Sequence, residues 1–418
     1  MSLFDDLSWR GLIAQSTDPE ALRHSLDHES IVFYVGFDPT APSLHMGNLL
    51  QLITARRLQE AGHRPILLVG GSTGLIGDPR QTAERVLNPV EVVHAWGEDI
   101  RSQVQRFVSF EGDNAAILVN NYDWTAQLST LDFLRDIGKY FSINRMLDRE
   151  VIKARLESGI SYTEFSYVLL QSLDYLELHR RYGASLQTGG SDQWGNITAG
   201  VELIRRVTGD KVHALATPLV TKADGTKYGK TESGTLWLNP EMTSPYAFHQ
   251  FFLNAEDEMV GTLLRLFTRR THEEIEALER QTIEEPHLRA AQRALADDLT
   301  DLVHSVQQRQ AATVAARAIF GQADLAELDR ATLDAVVREL PAVDWEELGG
   351  RTVIDALADS GVVASRSAAK RAIAEGGAYL NNVRITDADQ VIEPGDLLAS
   401  AVLVLRRGKK TVSAIRVG

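Results

Sequence analysis

The sequence predicts an α/β fold in which helices cover a parallel sheet, followed by an α-helical domain and a small α+β domain. Apolar segments bounded by turn residues alternate with longer helical patterns, which is typical of a parallel sheet. Strands are expected near 31–36, 65–70 and 115–120, and helices near 47–61, 89–109 and 129–147. Residues 244–320 look wholly helical, and the segment after residue 351 predicts two short helices and then a strand.

The chain of 418 residues is long enough for two or three domains, each with its own core. We expect a parallel-sheet domain, a helical domain, a linker and a C-terminal domain at 1–243, 244–320, 321–350 and 351–418. The linker is predicted from an acidic composition that includes Pro341, Gly349 and Gly350.

Composition excludes several kinds of site. The chain has no cysteine, which excludes disulfides, thiolate catalysis and cysteine-ligated metal centres. Its 11 histidines are scattered without metal-binding spacing, so no protein-bound metal is expected. The first residues are typical of neither a signal peptide nor a transit peptide, and no apolar run reaches membrane-spanning length. A cytoplasmic location is therefore expected.

The net charge of −14 argues against a general nucleic-acid binder, but the charge is unevenly distributed. From residue 351 onwards, ten Lys and Arg accompany only seven Asp and Glu. The last thirteen residues carry only basic side chains among their charges, at Arg406, Arg407, Lys409, Lys410 and Arg416. A local contact with a polyanion and a merely solvated surface both explain this pattern.

The stretch Tyr34–Asn48 predicts the end of a buried strand, a tight loop and the start of a helix. Free amides at a helix N-terminus form a natural anion site. His45 adds a donor there, and Gly47 lets a flat group approach closely. The alternative is an ordinary strand–helix loop with a solvated histidine.

A glycine-rich loop follows the second predicted strand and ends at Asp78. Its glycine spacing does not match the dinucleotide-binding fingerprint, so a site of that kind is not supported. Asp78 either binds an ammonium group or caps a turn.

A polar stripe runs along the predicted helix 162–181. Tyr167, Gln171 and Asp174 recur at helical spacing in an otherwise apolar segment, so they share one face. Unpaired buried polar groups cost about 1–3 kcal/mol each. These side chains therefore need partners, either in each other or in a small ligand with hydroxyl and ammonium groups. Tyr34 brings another phenol to the end of its strand.

Two later glycine-containing stretches supply further polar and charged groups. Gln187, Asp192 and Gln193 surround a pair of glycines, a set that suits a ribose and a carboxylate or carbonyl group. Lys227 and Lys230 lie three residues apart in a second such stretch, where they suit a moving negative charge. An exposed basic loop is the alternative for the lysines.

Five blocks in this order resemble the bacterial tyrosyl-tRNA synthetase family, in class I of the aminoacyl-tRNA synthetases: YVGFDPTAPSLHMGN, GLIGDP, YTEFSY, GGSDQWGN and KYGKT. The first and last blocks correspond to the family's HIGH and KMSKS signatures. The segment from residue 351, with Arg366, Lys370 and Arg371 on one helix, resembles the S4 RNA-binding module. The resemblance covers essentially the whole chain and implies a Rossmann-like catalytic domain and an anticodon-side helical domain.

The resemblance implies a tyrosine–tRNA ligase. Such an enzyme activates L-tyrosine with ATP and Mg²⁺, releasing pyrophosphate, and then transfers tyrosine from the adenylate to the 3′-terminal ribose of tRNA(Tyr). A carboxylate is already a nucleophile at neutral pH, so donors and cations that position the substrates are expected in place of a general base. The resemblance also implies a homodimer, with tRNA lying across both subunits.

The resemblance implies a role for each matching residue. Catalytic roles are expected for Thr40, His45, Lys227, Lys230 and Thr231. Tyrosine binding is expected at Tyr34, Asp78, Tyr167, Gln171, Asp174 and Gln187, with Tyr34 and Asp174 at the phenol. ATP binding is expected at Gly36, Asp38, Gly47, Asn48, Gly190, Asp192, Gln193 and Lys230. Contacts with tRNA are expected at Arg149, Arg205, Arg206, Arg366, Lys370, Arg371, Arg406 and Arg407.

The sequence also departs from the family pattern. Its HIGH signature ends in Asn48, which still donates a hydrogen bond, and its KMSKS signature is KYGKT. The loop after Asp78 has no lysine, so a phosphate contact there would come from Arg80 or Arg85.

Three other functions compete with this interpretation. A tryptophanyl enzyme shares the fold but does not need Tyr34 and Asp174 around a phenol. A catalytically silent RNA-binding paralogue does not need His45, Lys227 and Lys230. A nucleotidyltransferase acting on a small cofactor would leave residues 244–418 unexplained.

Overall fold

The computed structural model describes residues 1–79, 86–222, 225–231, 234–399, 401–408 and 411–418. The chain forms two units. The first contains Met1–Met242 and Gly261–Ile275, and the second contains Thr243–Val260 and Glu276–Gly418. Several residues named above lie outside the described part: Arg80, Arg85, Lys409 and Lys410.

The first unit is built on the predicted parallel sheet. Its strands are β1 Gln15–Ser16, β2 Val32–Phe37, β3 Arg64–Val69, β4 Ile117–Asn120, β5 Ala184–Gly190 and β6 His213–Thr217. They lie in the order β1-β6-β5-β2-β3-β4. All neighbouring pairs are parallel except β1 and β6. The prediction of a parallel α/β sheet is therefore confirmed.

Strand register brings the ends of β2, β3 and β4 to one edge. Phe37 lies opposite Val69, and Val69 lies opposite Asn120. On the other side of β2, Tyr34 lies opposite Gln187. The loops that follow these strands therefore start side by side, at the edge where open α/β sheets bind ligands.

Helices cover both faces of this sheet. They are α1 Leu3–Trp9, α2 Pro19–His28, α3 Met46–Glu60, α4 Thr73–Ile76, α5 Val90–Val104, α6 Tyr122–Thr125, α7 Thr130–Asp132, α8 Ile143–Leu147, α9 Glu150–Lys153, α10 Tyr162–Tyr182 and α11 Trp194–Val207. Ser161 caps the start of α10, and Gly183 ends it in the left-handed conformation.

The prediction of a single helix at 129–147 is wrong. The segment breaks into α7, a π-helical turn at Phe133–Ile137, a 3-10 turn at Gly138–Tyr140 and α8. Gly138 has low helix propensity, and Ser142 has extended backbone angles that start a new helix. Amphipathic periodicity alone does not reveal such breaks.

The second unit is helical and then mixed. The helices α12 Pro245–Leu253, α15 Ala290–Val303, α16 Val306–Ile319, α17 Arg330–Glu339, α18 Val353–Asp359 and α19 Arg366–Ala374 lie within it. Two helices contain residues of both units, α13 Asp257–Phe267 and α14 His272–Glu284. The predicted helical character of 244–320 agrees with these bounds.

A second sheet completes this unit. After the short antiparallel pair β7 Lys230–Thr231 and β8 Gly234–Thr235 of the first unit come β9 Ala342–Trp345, β10 Ala378–Leu380, β11 Val383–Arg384, β12 Val402–Arg407 and β13 Thr411–Val417. The sheet order is β11-β10-β12-β13-β9. Short 3-10 turns lie at Ser191–Gln193, Pro286–Leu288, Leu325–Glu327 and Pro394–Asp396.

Residues 321–350, expected as a linker, contain regular structure. Helix α17 buries Leu333, Val336 and Val337 in a core shared with α16, β12 and β13. Strand β9 pairs with β13 in parallel and buries Trp345. Acidic composition indicated a linker, but Leu333, Val336 and Val337 share one face of α17 and are buried.

Candidate active site

Asp38 lies directly after β2, at the edge where the strand ends meet. One of its oxygens accepts a hydrogen bond from Thr73 Oγ1 at 2.6 Å, and the other accepts one from the Tyr167 hydroxyl, also at 2.6 Å. A Cβ on Gly70 would clash with the Asp38 carboxylate. Glycine at position 70 therefore permits the loop after β3 to lie against this carboxylate.

Asp174 is buried within the site and is only 2 % exposed. Its Oδ1 accepts a hydrogen bond from Trp124 Nε1 and its Oδ2 one from Asn121 Nδ2, both at 2.9 Å. Burial raises the pKa of the Asp174 carboxyl to about 8, although these two donors act to lower it. Asn121 also accepts from the Ser72 amide at 2.7 Å, so its amide orientation is defined.

Several buried side-chain atoms have no hydrogen-bond partner within the described part of the chain, and those of the predicted tyrosine-binding residues among them are the Tyr34 hydroxyl, Gln171 Oε1 and Gln187 Oε1. Tyr34 is 1 % exposed, and its burial, followed by the nearby Asp174 charge, raises the pKa of the phenol. Buried polar groups are normally satisfied, so unpaired ones point to a ligand. These atoms belong to the predicted tyrosine-binding set.

Asp78 lies in a network of amides. Its Oδ2 accepts from Gln193 Nε2 at 2.8 Å, and its Oδ1 accepts from Asn196 Nδ2 at 3.0 Å. Asn196 Nδ2 also donates to Gln193 Oε1 at 2.9 Å, and Asn196 Oδ1 accepts from the Arg149 guanidinium. Asp78 therefore presents a carboxylate that two amides orient, which is compatible with the predicted ammonium contact.

His45 caps the N-terminus of α3. Its Nδ1 accepts a hydrogen bond from the Gly47 amide at 3.1 Å, and its own amide donates to Asn48 Oδ1 at 3.1 Å. Burial, reinforced by Lys227, lowers the pKa of the imidazole, so it is neutral at pH 7. Because Nδ1 accepts, the proton lies on Nε2, which makes His45 a neutral donor. Asn48 thus has a local role that the sequence left open.

The KYGKT stretch packs on the same helix. A Cβ on Gly229 would lie 2.6 Å from the Met46 Cβ, and Gly229 has a φ of +92°. Lys227 Nζ donates to Asp192 Oδ2 at 3.1 Å, with both side chains about half exposed. Lys230 lies in β7 and is exposed, and the side chain of Thr231 lies outside what the structure describes. Both lysines contribute to the field that lowers the His45 pKa.

The remaining predicted phosphate and nucleotide residues lie at or near this edge. Thr40 is exposed just after Asp38. A Cβ on Gly36 would lie 3.3 Å from Leu68, and one on Gly190 would lie 2.6 Å from Asp192 Oδ1. Side chains at these glycines would therefore crowd the sheet and the site. The described residues contain no group of three or more acidic or histidine side chains arranged to hold a metal.

The predicted tRNA-binding arginines differ in their surroundings. Arg205 and Arg206 pair with Glu202 at 2.8 and 2.6 Å on the surface of α11. Arg149 is instead partly buried against Asn196. The other predicted contacts, which lie in the second unit, are exposed at Arg366, Lys370, Arg371 and Arg407.

Arg406 was expected to be an exposed tRNA contact, but the structure shows it buried. It is only 7 % exposed, its guanidinium lies 3.9 Å from the Tyr379 ring centroid, and its Nε donates to Asn382 at 3.3 Å. The side chain therefore stabilises the second sheet, because both faces of β12 are covered as far as position 406. It is not available for a phosphate contact in this arrangement.

Sequence reasoning missed four polar residues of the site: Thr73, Asn121, Trp124 and Asn196. Asn121 had a usable signal, since it directly follows a predicted parallel strand and the ends of such strands lie at the binding edge. Trp124 and Asn196 had no comparable signal, because their roles depend on contacts with residues 50 and 118 positions away.

Comparison with known proteins agrees with this geometry. Residues 26–321 match the model of "tRNA synthetases class I (W and Y)", and residues 332–415 match a "Tyrosine--tRNA ligase SYY-like C-terminal domain". A tyrosine–tRNA ligase of Cutibacterium acnes is 61% identical over 413 residues, covering 99% of each chain. One of Streptomyces coelicolor is 58% identical over 418 residues, with the same coverage.

A solved structure shares the fold. The C-terminally truncated mitochondrial tyrosyl-tRNA synthetase of Aspergillus nidulans is 29% identical and superimposes with a TM-score of 0.69, covering 76% of this chain and 94% of that one. The sequence relatives cover both units, while the site described above lies in the part that the first family model matches. The chain therefore belongs to the class I tRNA synthetases, among the bacterial tyrosine–tRNA ligases.

Proposed function

We propose that this protein activates L-tyrosine with ATP and then esterifies tRNA(Tyr) with it. The observation that carries the proposal is the Tyr34 hydroxyl, which has no partner among the described residues, in a buried site that also contains the Asp174 carboxyl group. A substrate phenol donates to Asp174 and accepts from Tyr34. Tryptophan and phenylalanine lack this hydroxyl and leave the buried Tyr34 hydroxyl without a partner.

Specificity follows from desolvation of these groups. A site built to hydrogen-bond a hydroxyl strongly rejects the analogue that lacks it, and tyrosyl-tRNA synthetases are themselves the known example of this rule. Asn121 and Trp124 each donate a hydrogen bond to one oxygen of Asp174, and these bonds fix the orientation of the carboxyl group. Gln171 and Gln187 offer further acceptors inside the same site.

In the first step, a carboxylate oxygen of tyrosine attacks the α-phosphorus of ATP, and the bond to the bridging oxygen breaks as pyrophosphate leaves. Asp78 holds the substrate ammonium, and Tyr167 and Gln171 complete its surroundings. His45 donates from Nε2 to the phosphates without carrying charge, and Thr40 adds a hydroxyl. No side chain needs to remove a proton, so catalysis consists of positioning and charge stabilisation.

Lys227 and Lys230 stabilise the negative charge that develops on pyrophosphate. Lys227 pairs with Asp192, and we expect the ribose hydroxyls of ATP to compete for Asp192. Nucleotide binding therefore releases Lys227 toward the phosphates. Mg²⁺ enters with ATP as part of the substrate, bound by phosphate oxygens.

In the second step, a hydroxyl of the terminal ribose of tRNA(Tyr) attacks the adenylate carbonyl, and AMP leaves. We expect the surface residues Arg205 and Arg206 to meet the acceptor arm. The RNA backbone is expected to contact the exposed cations Arg366, Lys370, Arg371 and Arg407. Such contacts act through phosphates and shape, so they weaken with salt.

The protein acts as a cytoplasmic homodimer in this proposal. Large apolar side chains are exposed in one stretch of the first unit, at Leu131, Leu134, Ile143, Leu156 and Tyr162. Several exposed large apolar side chains within one stretch of chain are compatible with a surface that a partner covers. The family resemblance suggests that this partner is a second copy of the chain. Sedimentation of the wild-type protein and of the Leu131→Asp variant tests this proposal. A monomeric wild type would overturn the proposal of a homodimer.

None of the described helices has the length and apolar character needed to cross a membrane.

The deciding experiment is ATP–pyrophosphate exchange with each of the twenty amino acids, without tRNA. Exchange with tyrosine alone, lost in Asp174→Ala, is the expected result. Exchange with tryptophan would show that the phenol subsite is misassigned. Absence of exchange with every amino acid would overturn the enzymatic proposal and favour an RNA-binding paralogue.

A further inference from the structure

We propose that Arg149 is a positioning residue for tyrosine activation, acting through Asn196 and Gln193 to orient Asp78. The inference rests on the proposed function, because it concerns the carboxylate that holds the substrate ammonium. It gives Arg149 a task in the first, tRNA-independent step, apart from any contact with RNA.

The hydrogen bonds run in one direction from Arg149 to Asp78. A guanidinium only donates and a carboxylate only accepts, whereas each amide between them can turn over by 180°. Arg149 donates to Asn196 Oδ1, which leaves Asn196 Nδ2 to donate to Asp78 and to Gln193 Oε1. With its oxygen so engaged, Gln193 directs Nε2 to the second oxygen of Asp78. If either amide were turned over, its oxygen would face an oxygen of the Asp78 carboxylate.

Burial makes these contacts matter. Asn196 is 2 % exposed, so water does not readily replace a lost partner at its Oδ1. Linked hydrogen bonds also polarise one another, so the Arg149 donor strengthens the hydrogen bonds to Asp78 at the other end of the network. Loss of Arg149 is therefore expected to loosen both amides that hold Asp78.

The position of Arg149 is unfavourable without such a role. Its guanidinium lies against the first turn of α11, where a Cβ on Gly195 would come within 3.0 Å of Nη2. Helix N-termini carry partial positive charge and repel cations. Burial lowers the pKa of Arg149, and the charge of Asp78 opposes this effect. An arginine that served only to bind RNA would be more stable in solvent.

The test is tyrosine-dependent pyrophosphate exchange by the full-length protein, with the desamino analogue 3-(4-hydroxyphenyl)propanoate as competitive inhibitor. Arg149→Met is expected to raise the KM for tyrosine by about tenfold, as for loss of one charge-assisted hydrogen bond. The inhibition constant of the analogue stays unchanged, because the analogue has no ammonium group for Asp78 to hold. Arg149→Lys, which keeps a cationic donor, restores most of the affinity.

A double-mutant cycle separates the relay from a general structural role. In the Asn196→Ala background, Arg149→Met is expected to have no further effect on the KM for tyrosine, because the connecting amide is gone. The control is Arg145→Met, which removes an arginine from the same region whose side chain is 75% exposed. Should Arg149→Met fail to fold, Gly195→Ala displaces the guanidinium and gives the same comparison.

Each other outcome would overturn the inference. Unchanged exchange with reduced tRNA charging would make Arg149 only an RNA contact. A lower KM for tyrosine would mean that repulsion between Arg149 and the ammonium dominates. Equal weakening of tyrosine and of the desamino analogue would indicate collapse of the whole pocket. Absence of tyrosine exchange in wild type would instead reject the proposed function.

Discussion

At the scale of single residues, the site contains polar groups whose burial costs folding free energy. The Tyr34 hydroxyl lacks a partner in the described structure, and Asp174 is buried with two neutral donors as its hydrogen-bond partners. Such groups lower the stability of the free protein and are satisfied when the substrate binds. Stability and activity are therefore expected to change in opposite directions when these groups are removed.

Tyr34→Phe is expected to raise the free energy of unfolding by about 1 kcal/mol, because it removes a buried, unpaired hydroxyl. The same change raises the KM for tyrosine and reduces discrimination against phenylalanine. Tyr175→Phe is the matched control, since the Tyr175 hydroxyl donates to the His213 carbonyl at 2.8 Å. Chemical denaturation should show the control destabilised. Equal destabilisation of both variants would contradict the prediction.

The Asp174 carboxyl should make stability depend on pH. Its folded pKa of about 8 lies above the ordinary value of 3.8. Between these values the folded state keeps a proton that the unfolded state releases, so this group's contribution to stability falls as pH rises from about 4 to about 8. The Tm of Asp174→Asn, relative to wild type, is therefore expected to rise across this range.

Differential scanning calorimetry at pH 5 and pH 8 measures this shift. The comparison between variant and wild type cancels other titrating groups, and any constant cost of the asparagine amide also cancels. Asp113→Asn, at an exposed acid, serves as the control. A Tm difference between Asp174→Asn and wild type that does not change with pH would contradict the raised pKa.

At the scale of elements, helix α3 joins the two signature loops. His45 and Asn48 cap its first turn, and Gly229 packs the KYGKT stretch against Met46 in the same turn. The Leu238 amide also donates to the Leu44 carbonyl at 2.9 Å. The distance between the histidine and the lysines thus depends on how closely this loop approaches the helix.

Gly229→Ala is expected to lower the kcat of pyrophosphate exchange about tenfold while leaving the KM for tyrosine nearly unchanged, because a misplaced catalytic group affects mainly the chemical step. Gly225→Ala isolates the effect of the clash. Both glycines have positive φ, at +92° and +81°, but a Cβ at position 225 meets nothing within 4 Å. Steady-state exchange kinetics that decline equally in both variants would assign the loss to backbone strain alone.

At the scale of the whole molecule, the second unit has a core that crosses the expected domain boundaries. Val402, Val404, Val412 and Ala414 of β12 and β13 pack with buried residues of α12, α16 and α17. The helical part and the C-terminal sheet of this unit therefore stabilise each other.

A chain ending at residue 350 is expected to keep tyrosine-dependent exchange, to lose tRNA charging and to unfold at a lower temperature. The first unit retains its site residues, while α16 and α17 lose the strands that cover them. The full-length double variant Lys370→Ala, Arg371→Ala should lose charging with an unchanged Tm. Exchange assays, charging assays and calorimetry distinguish these effects. A truncated chain that charges tRNA normally would contradict the assigned role of the C-terminal domain.

The sequence by itself determined the parallel sheet, the loop that carries His45, and the polar face of α10. These features depend on local periodicity, since apolar alternation defines strands and the spacing of Tyr167, Gln171 and Asp174 defines one helical face. The ordered blocks were likewise enough to identify the family. The break of the helix at 129–147 and the structure within 321–350 were not predicted, because they depend on tertiary packing and not on the spacing of apolar residues in the sequence.

Only the tertiary structure decided which polar groups meet. Asp174 finds Asn121 and Trp124, Asp78 finds Asn196, and Arg406 is buried against Tyr379, all across long stretches of chain. Hydrogen-bond partners of buried groups are set by where distant segments come together, which local composition does not encode. The network that orients the active-site carboxylates is therefore a property of the fold.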